Sequence, residues 1–116
     1  MNIYEIIDKE LKERGLVGET SVVLEPKPIE ILDMCDHAKE RCQDRNATME
    51  MAQHYVDTAV VMIKESKDKY EFISKDGSSV VLEFGLLVTV IPRANYTFKQ
   101  MKKMQVILWQ LESCRM

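Results

Sequence analysis

The chain has 116 residues, 46% hydrophobic and 30% charged, with a net charge of −3. That is the size and balance of one folded domain, and the acidic excess excludes a protein that coats long nucleic acid by bulk electrostatics, though not a small basic cleft. Three cysteines, Cys35, Cys42 and Cys114, show no zinc-like spacing, and disulfides are not needed at this size, which predicts a reducing cytoplasm.

The first residues have no basic region followed by an apolar core, and no apolar run approaches the ~20 residues of a membrane span, so no leader and no membrane partner are expected. Residues 2–14 predict an amphipathic helix with Ile3, Ile6, Ile7 and Leu11 on one side, stopped by Gly15. Thr20 to Leu24 predicts a short strand. Pro26 and Pro28 close an N-terminal arm, residues 1–28, that packs on the main unit.

A second helix is predicted from near Ile29 to Arg45, its apolar side formed by Ile31, Leu32, Cys35, Ala38 and Cys42. Asn46 suits the N-cap of a third helix, in which Met49, Ala52, Val56, Ala59, Val60 and Ile63 recur at three and four residues. After Lys67-Asp68 the period changes to two. Lys75-Asp76-Gly77-Ser78 predicts a hairpin turn, and Gly85 separates Val80–Phe84 from Leu86–Ile91, giving a meander of three strands. Pro92 ends the last strand, in which Thr89 is the lone polar side chain. Thr97-Phe98-Lys99-Gln100 matches a capping box and opens a helix with Phe98, Met101, Met104, Ile107, Leu108 and Leu111 on one side. The expected fold is α+β in one domain, 1–116. Helices within 29–66 pack on a small antiparallel meander at 69–91, and an extra C-terminal helix lies within 94–116.

His37, Arg41 and Arg45 stand at i, i+4 and i+8 in the second helix. Each step of four turns about 400°, so they form one stripe. Histidine moves a proton near neutral pH, and the arginine fork fits a phosphate. One proton carrier beside two fixed cations suits phosphodiester chemistry. Asp36, Glu40 and Asp44 run beside them at the same step, and charge at helical period is common on surfaces, so on spacing alone the pattern reads first as a solvated face laced with ion pairs worth about 0.2–0.5 kcal/mol each. Lys99, Lys102 and Lys103 crowd the start of the last helix, either a mild dipole mismatch or part of an anion site. No ligand set for zinc or magnesium is visible, so no metal and no cofactor are expected.

His37-Ala38-x-x-Arg41-x-x-x-Arg45, followed by a helix and by hairpin strands closing in Leu87-Val88-Thr89-Val90-Ile91-Pro92, resembles the DUF4258 family of bacterial and phage domains. That family is grouped with the Barnase–EndoU–Colicin–RelE superfamily, mostly metal-independent ribonucleases of toxin systems. The resemblance covers about residues 29–93. It implies catalytic roles for His37, Arg41, Arg45 and Thr89, RNA as substrate, and an inhibitor or immunity protein as partner. Tyr96 and Lys99 are the expected substrate-binding residues, and Tyr96, Lys99 or His54 could be the second proton carrier. Phe84-Gly85 replaces the family's polar turn before the last strand, and the acidic net charge also departs from a ribonuclease. The competing reading is a non-catalytic binding module of a mobile element, whose flanking helices could pair two copies as a homodimer.

Overall fold

Alternation and caps account for most of the backbone in the computed structural model, which describes residues 2–114. The order is α1 (Ile3–Glu13), β1 (Val22–Leu24), β2 (Asp33–Met34), α2 (Asp36–Asp44), α3 (Met49–Asp57), β3 (Ala59–Ser66), β4 (Lys69–Ser74), β5 (Ser79–Glu83), β6 (Leu86–Ile91), a 3-10 turn (Arg93–Asn95) and α4 (Phe98–Cys114). The fold is α+β. Its six strands form one mixed sheet in the order β1-β3-β4-β5-β6-β2, with only the β2–β6 pair parallel.

Period-two burial sends Met62, Phe72, Val80 and Val90 to one face, where they pack with Ala38 and Cys42 of α2 and Ala52 and Val56 of α3. Val23, Val61, Ile63 and Ile73 go to the other face and meet Ile7 and Leu11 of α1 and Ile107 of α4. The sheet thus lies between two helical layers, and the N-terminal arm supplies both an edge strand and half of the second layer. Among the described residues no helix is long and apolar enough to cross a membrane.

Helix ends follow local chemistry. Gly15 (φ 66°) follows the C-cap of α1, and the amides of Gly15 and Leu16 donate to the carbonyls of Lys12 and Leu11. The same device closes α2, with Asn46 at φ 50° and the Ala47 amide on the Cys42 carbonyl at 2.9 Å. Asn46 therefore ends α2 and does not cap α3, because Asn tolerates the left-handed region; the N-cap of α3 is Thr48, whose hydroxyl accepts from the Met51 amide at 3.1 Å.

Four other expectations are corrected. The second helix starts at Asp36, not near Ile29. Residues 29–35 are held extended from outside: Gln53 accepts from the Ile31 amide and donates to the Ile29 carbonyl, and Leu32 and Cys35 donate to Gly85 and Leu87. Leu32 is accordingly exposed and does not line a helix core. The third helix stops at Asp57, and Ala59, Val60 and Ile63 belong to β3. Ala59–Ile63 is a continuous apolar run, which a strand covered on both faces accommodates as well as a helix does. The meander therefore has four strands, β3 to β6, with Lys67-Asp68 as its first turn. Finally, Phe98 and Met101 do not join the buried side of α4; they are 75% and 44% exposed. Residues 115–116 of the predicted last helix and the Cys114 side chain lie outside the described residues.

Candidate functional site

Helix α2 leaves the sheet edge at β2 and runs beside β6, so its stripe is displayed along that edge. Its N-cap is Cys35, whose sulfur accepts from the Ala38 amide at 3.4 Å. Ala38 and Cys42 point into the core, which turns His37 and Arg41 to solvent. Arg41 donates from Nε to Nε2 of His37 at 3.2 Å. In this contact Nε2 of His37 is the acceptor and the Arg41 Nε–H the donor.

Arg45, the C-cap of α2, is half-buried and differently engaged. Its Nη1 donates to Thr89 Oγ1 at 3.1 Å and to the Val90 carbonyl at 2.9 Å. The β5–β6 register skips Val88, pairing Leu87 with Leu82 and Thr89 with Val81. That bulge leaves both Leu87 and Val90 in the core beneath α2 and α3. Thr89 shares its face with Val81 and Glu71, so Arg45 meets it at the outer edge of β6, beyond the two residues that β2 covers. The four side chains are joined as two pairs, His37–Arg41 and Arg45–Thr89. His37 and Arg45 are eight residues apart on the helix, about 12 Å along its axis.

The carboxylates beside the stripe do not neutralise it. Among the described residues the sole ion pair of Asp36, Glu40 and Asp44 is Asp36 with Lys39 at 3.9 Å, and neither Arg41 nor Arg45 has a carboxylate within 4.0 Å. Nor do any three His, Cys, Asp or Glu side chains among them converge as a metal-binding group. The Cys42 thiol is pushed up by burial, with the Arg45 charge opposing, so it is an inert core group.

The other expected site residues lie elsewhere. Tyr96 follows the 3-10 turn, and its phenol oxygen is buried without a hydrogen-bond partner, as is the hydroxyl of Ser79. Burial pushes this phenol above its ordinary range; the nearby Ser79 hydroxyl opposes the shift without reaching hydrogen-bond geometry, and the Glu71 charge adds to it. Ser79 pairs with Ile73, which places this cluster on the α1–α4 side of the sheet. Lys99 is exposed there and lines a concavity of about 550 Å³ with Thr20, Ser21, Gln100 and Lys103. His54 is exposed on α3. The structure brings none of these three into a contact with His37 or Arg41.

Two polar arrangements lie outside the predicted site, and of the two only Glu71 carries a signal in the sequence. Gln53, inside α3, clamps residues 29–31. Glu71 alternates in phase with Ile73 and so had to reach a core face, where a charge needs a cation; Lys103 supplies it at 2.5 Å. No protein-family model matches the chain, and no curated protein or solved structure matches it either.

Proposed function

We propose that this protein is a metal-independent RNA endonuclease of a phage, mobile element or toxin system, acting in the cytoplasm on the exposed face of α2. The observation that carries the reading is the imidazole–guanidinium pair of His37 and Arg41, turned to solvent and free of carboxylate neutralisation. RNA supplies its own nucleophile, the 2′-hydroxyl. A phosphate bound by the Arg41 fork takes over the Nε–H that His37 now accepts, and frees the imidazole lone pair for the 2′-hydroxyl proton. The 2′-oxygen forms its bond to phosphorus as the bond to the 5′-oxygen breaks. The products are a 2′,3′-cyclic phosphate and a 5′-hydroxyl, whose proton comes from water as His37 passes the 2′-hydroxyl proton to solvent. The arginines hold the charge that develops on the phosphorane. Arg45 uses one nitrogen on β6 and keeps its other donors for a neighbouring phosphate.

The test is incubation of the purified protein with total RNA in EDTA. Cleavage with cyclic-phosphate ends, lost in His37→Ala, supports the reading; intact RNA, or cutting that needs magnesium, sinks it. A second reading is favoured by one observation, that two of the three other candidate proton carriers, Tyr96 and Lys99, belong to the opposite side of the sheet. On that reading the same stripe binds RNA without cutting it, and retention of labelled RNA without product identifies it.

A further inference from the structure

The fold uses only one side of α4. Met104 and Ile107 are 3% and 0% exposed, whereas Phe98, Met101 and Trp109 are 75%, 44% and 60% exposed. At 100° per residue, Phe98, Met101, Lys102, Gln105, Trp109 and Glu112 fall within about 100° of arc, the side opposite the core. Single exposed apolar side chains need no explanation, but three aligned on one helix mark a contact surface. The surface is also firmly held. Gln110 of α4 donates to Glu10 of α1, Glu10 pairs with Arg14 at 2.9 Å, and Lys103 is anchored on Glu71.

The stripe is complementary to itself when turned end for end. Gln105 is its midpoint, with Phe98 seven residues before and Glu112 seven after, and with Met101 four before and Trp109 four after. An antiparallel copy about a two-fold axis at Gln105 sets Met101 and Lys102 against the partner's Trp109, and the two Gln105 amides against each other. Charge selects that direction: Lys99 and Lys102 occupy one end and Glu112 the other, so antiparallel packing brings opposite signs together and also opposes the helix dipoles. The Lys102 ammonium already stands 4.8 Å from the Phe98 ring centroid, and the indole of a second copy offers a larger π-face to the same cation. Beside the midpoint, a concavity of about 610 Å³ between α1 and α4, lined by Leu16, Val106 and Trp109, leaves room for an incoming side chain.

We infer that the outer face of α4 is a homodimer interface, on which two copies of this chain pair antiparallel about Gln105. It lies across the sheet from His37 and Arg41 and does not depend on what that face does. A contact built largely on one helix pair falls at the small end of specific interfaces, so dissociation belongs in the micromolar range, about 1–500 μM. Trp109 is the single tryptophan in the chain and reports directly.

Sedimentation of the full chain should show the mass rising from 13.5 kDa towards twice that value with concentration, and tryptophan emission should shift to the blue in step. Phe98→Glu should abolish both changes with an unaltered far-UV spectrum, since the ring is exposed. Lys102→Glu and Glu112→Lys should each weaken pairing by about fivefold or more, and the double exchange should recover it, because the signs are reversed on both ends. A single-chain mass with fixed emission throughout the range overturns the inference. So does a dimer indifferent to Phe98→Glu, which another surface must then hold, or a double exchange that fails to recover.

Discussion

Lys103 of α4 and Glu71 of β4 meet at 2.5 Å with their side chains only 13% and 4% exposed. The pair ties the C-terminal helix to the middle of the sheet. Removing one partner strands a buried charge, which typically costs about 3–5 kcal/mol, whereas an apolar pair of similar volume is often neutral or better. Lys103→Met should lower the urea midpoint by the larger amount, and Glu71→Leu with Lys103→Met should recover most of it. Equal losses in the single and double variants would show that the pair itself, not the stranded charge, is what matters.

The two arginines of the stripe should separate experimentally. The Arg41 side chain is exposed and, among the described residues, bonds only to His37, so Arg41→Ala should change stability by less than about 0.5 kcal/mol. Arg45 joins α2 to β6 through Thr89 and Val90, and Arg45→Ala should cost about 1.5–3 kcal/mol, the usual worth of a charged hydrogen bond. RNA binding should fall in both. If Arg41→Ala leaves RNA binding and cleavage untouched, the α2 face is an ordinary solvated surface.

Phe84 sits at φ 54° in the turn between β5 and β6, and is 68% exposed. An L side chain in this region costs about 1–2 kcal/mol, which Asn largely escapes. Phe84→Asn loses little burial and should raise the thermal midpoint. A drop would mean that the ring's contacts outweigh its backbone strain.

Tyr96 links stability to alkaline pH. Burial, together with the Glu71 charge, holds its phenol above the ordinary value of 10.0. A group raised on folding binds its proton more tightly in the folded state, so its contribution is complete below pH 10 and is lost as the pH climbs above that. Tyr96→Phe should flatten this part of the alkaline loss. At pH 7 it should also stabilise by about 1 kcal/mol, because it removes a buried oxygen that has no partner. Greater instability at pH 7 would reveal a hydrogen bond that the phenol makes.

What the residues determine by themselves is local. The Gly15 stop, the reciprocal Thr97–Gln100 bonds at 3.1 and 3.3 Å, the glycine turn at Gly77 (φ 94°) and the period-two strands from Lys69 onward all rest on groups a few residues apart. Their chemistry is therefore written in short windows, and the α+β class followed from it. The four-residue step likewise placed His37 and Arg41 in contact, because both ride on one helix. Tertiary structure decided what short windows cannot hold. Residues 29–35 have helical periodicity, but Gln53 and the edge of β6 take up their backbone groups. Ala59–Ile63 fits a helix stripe or a doubly covered strand, and pairing with β4 and β1 selected the strand. Arg45 found Thr89 across 44 residues, while Tyr96 lies beside Ser79 on the opposite face of the sheet. Pattern sets which faces must be hidden; the competition among all hidden faces for the same interior sets which side chains become neighbours.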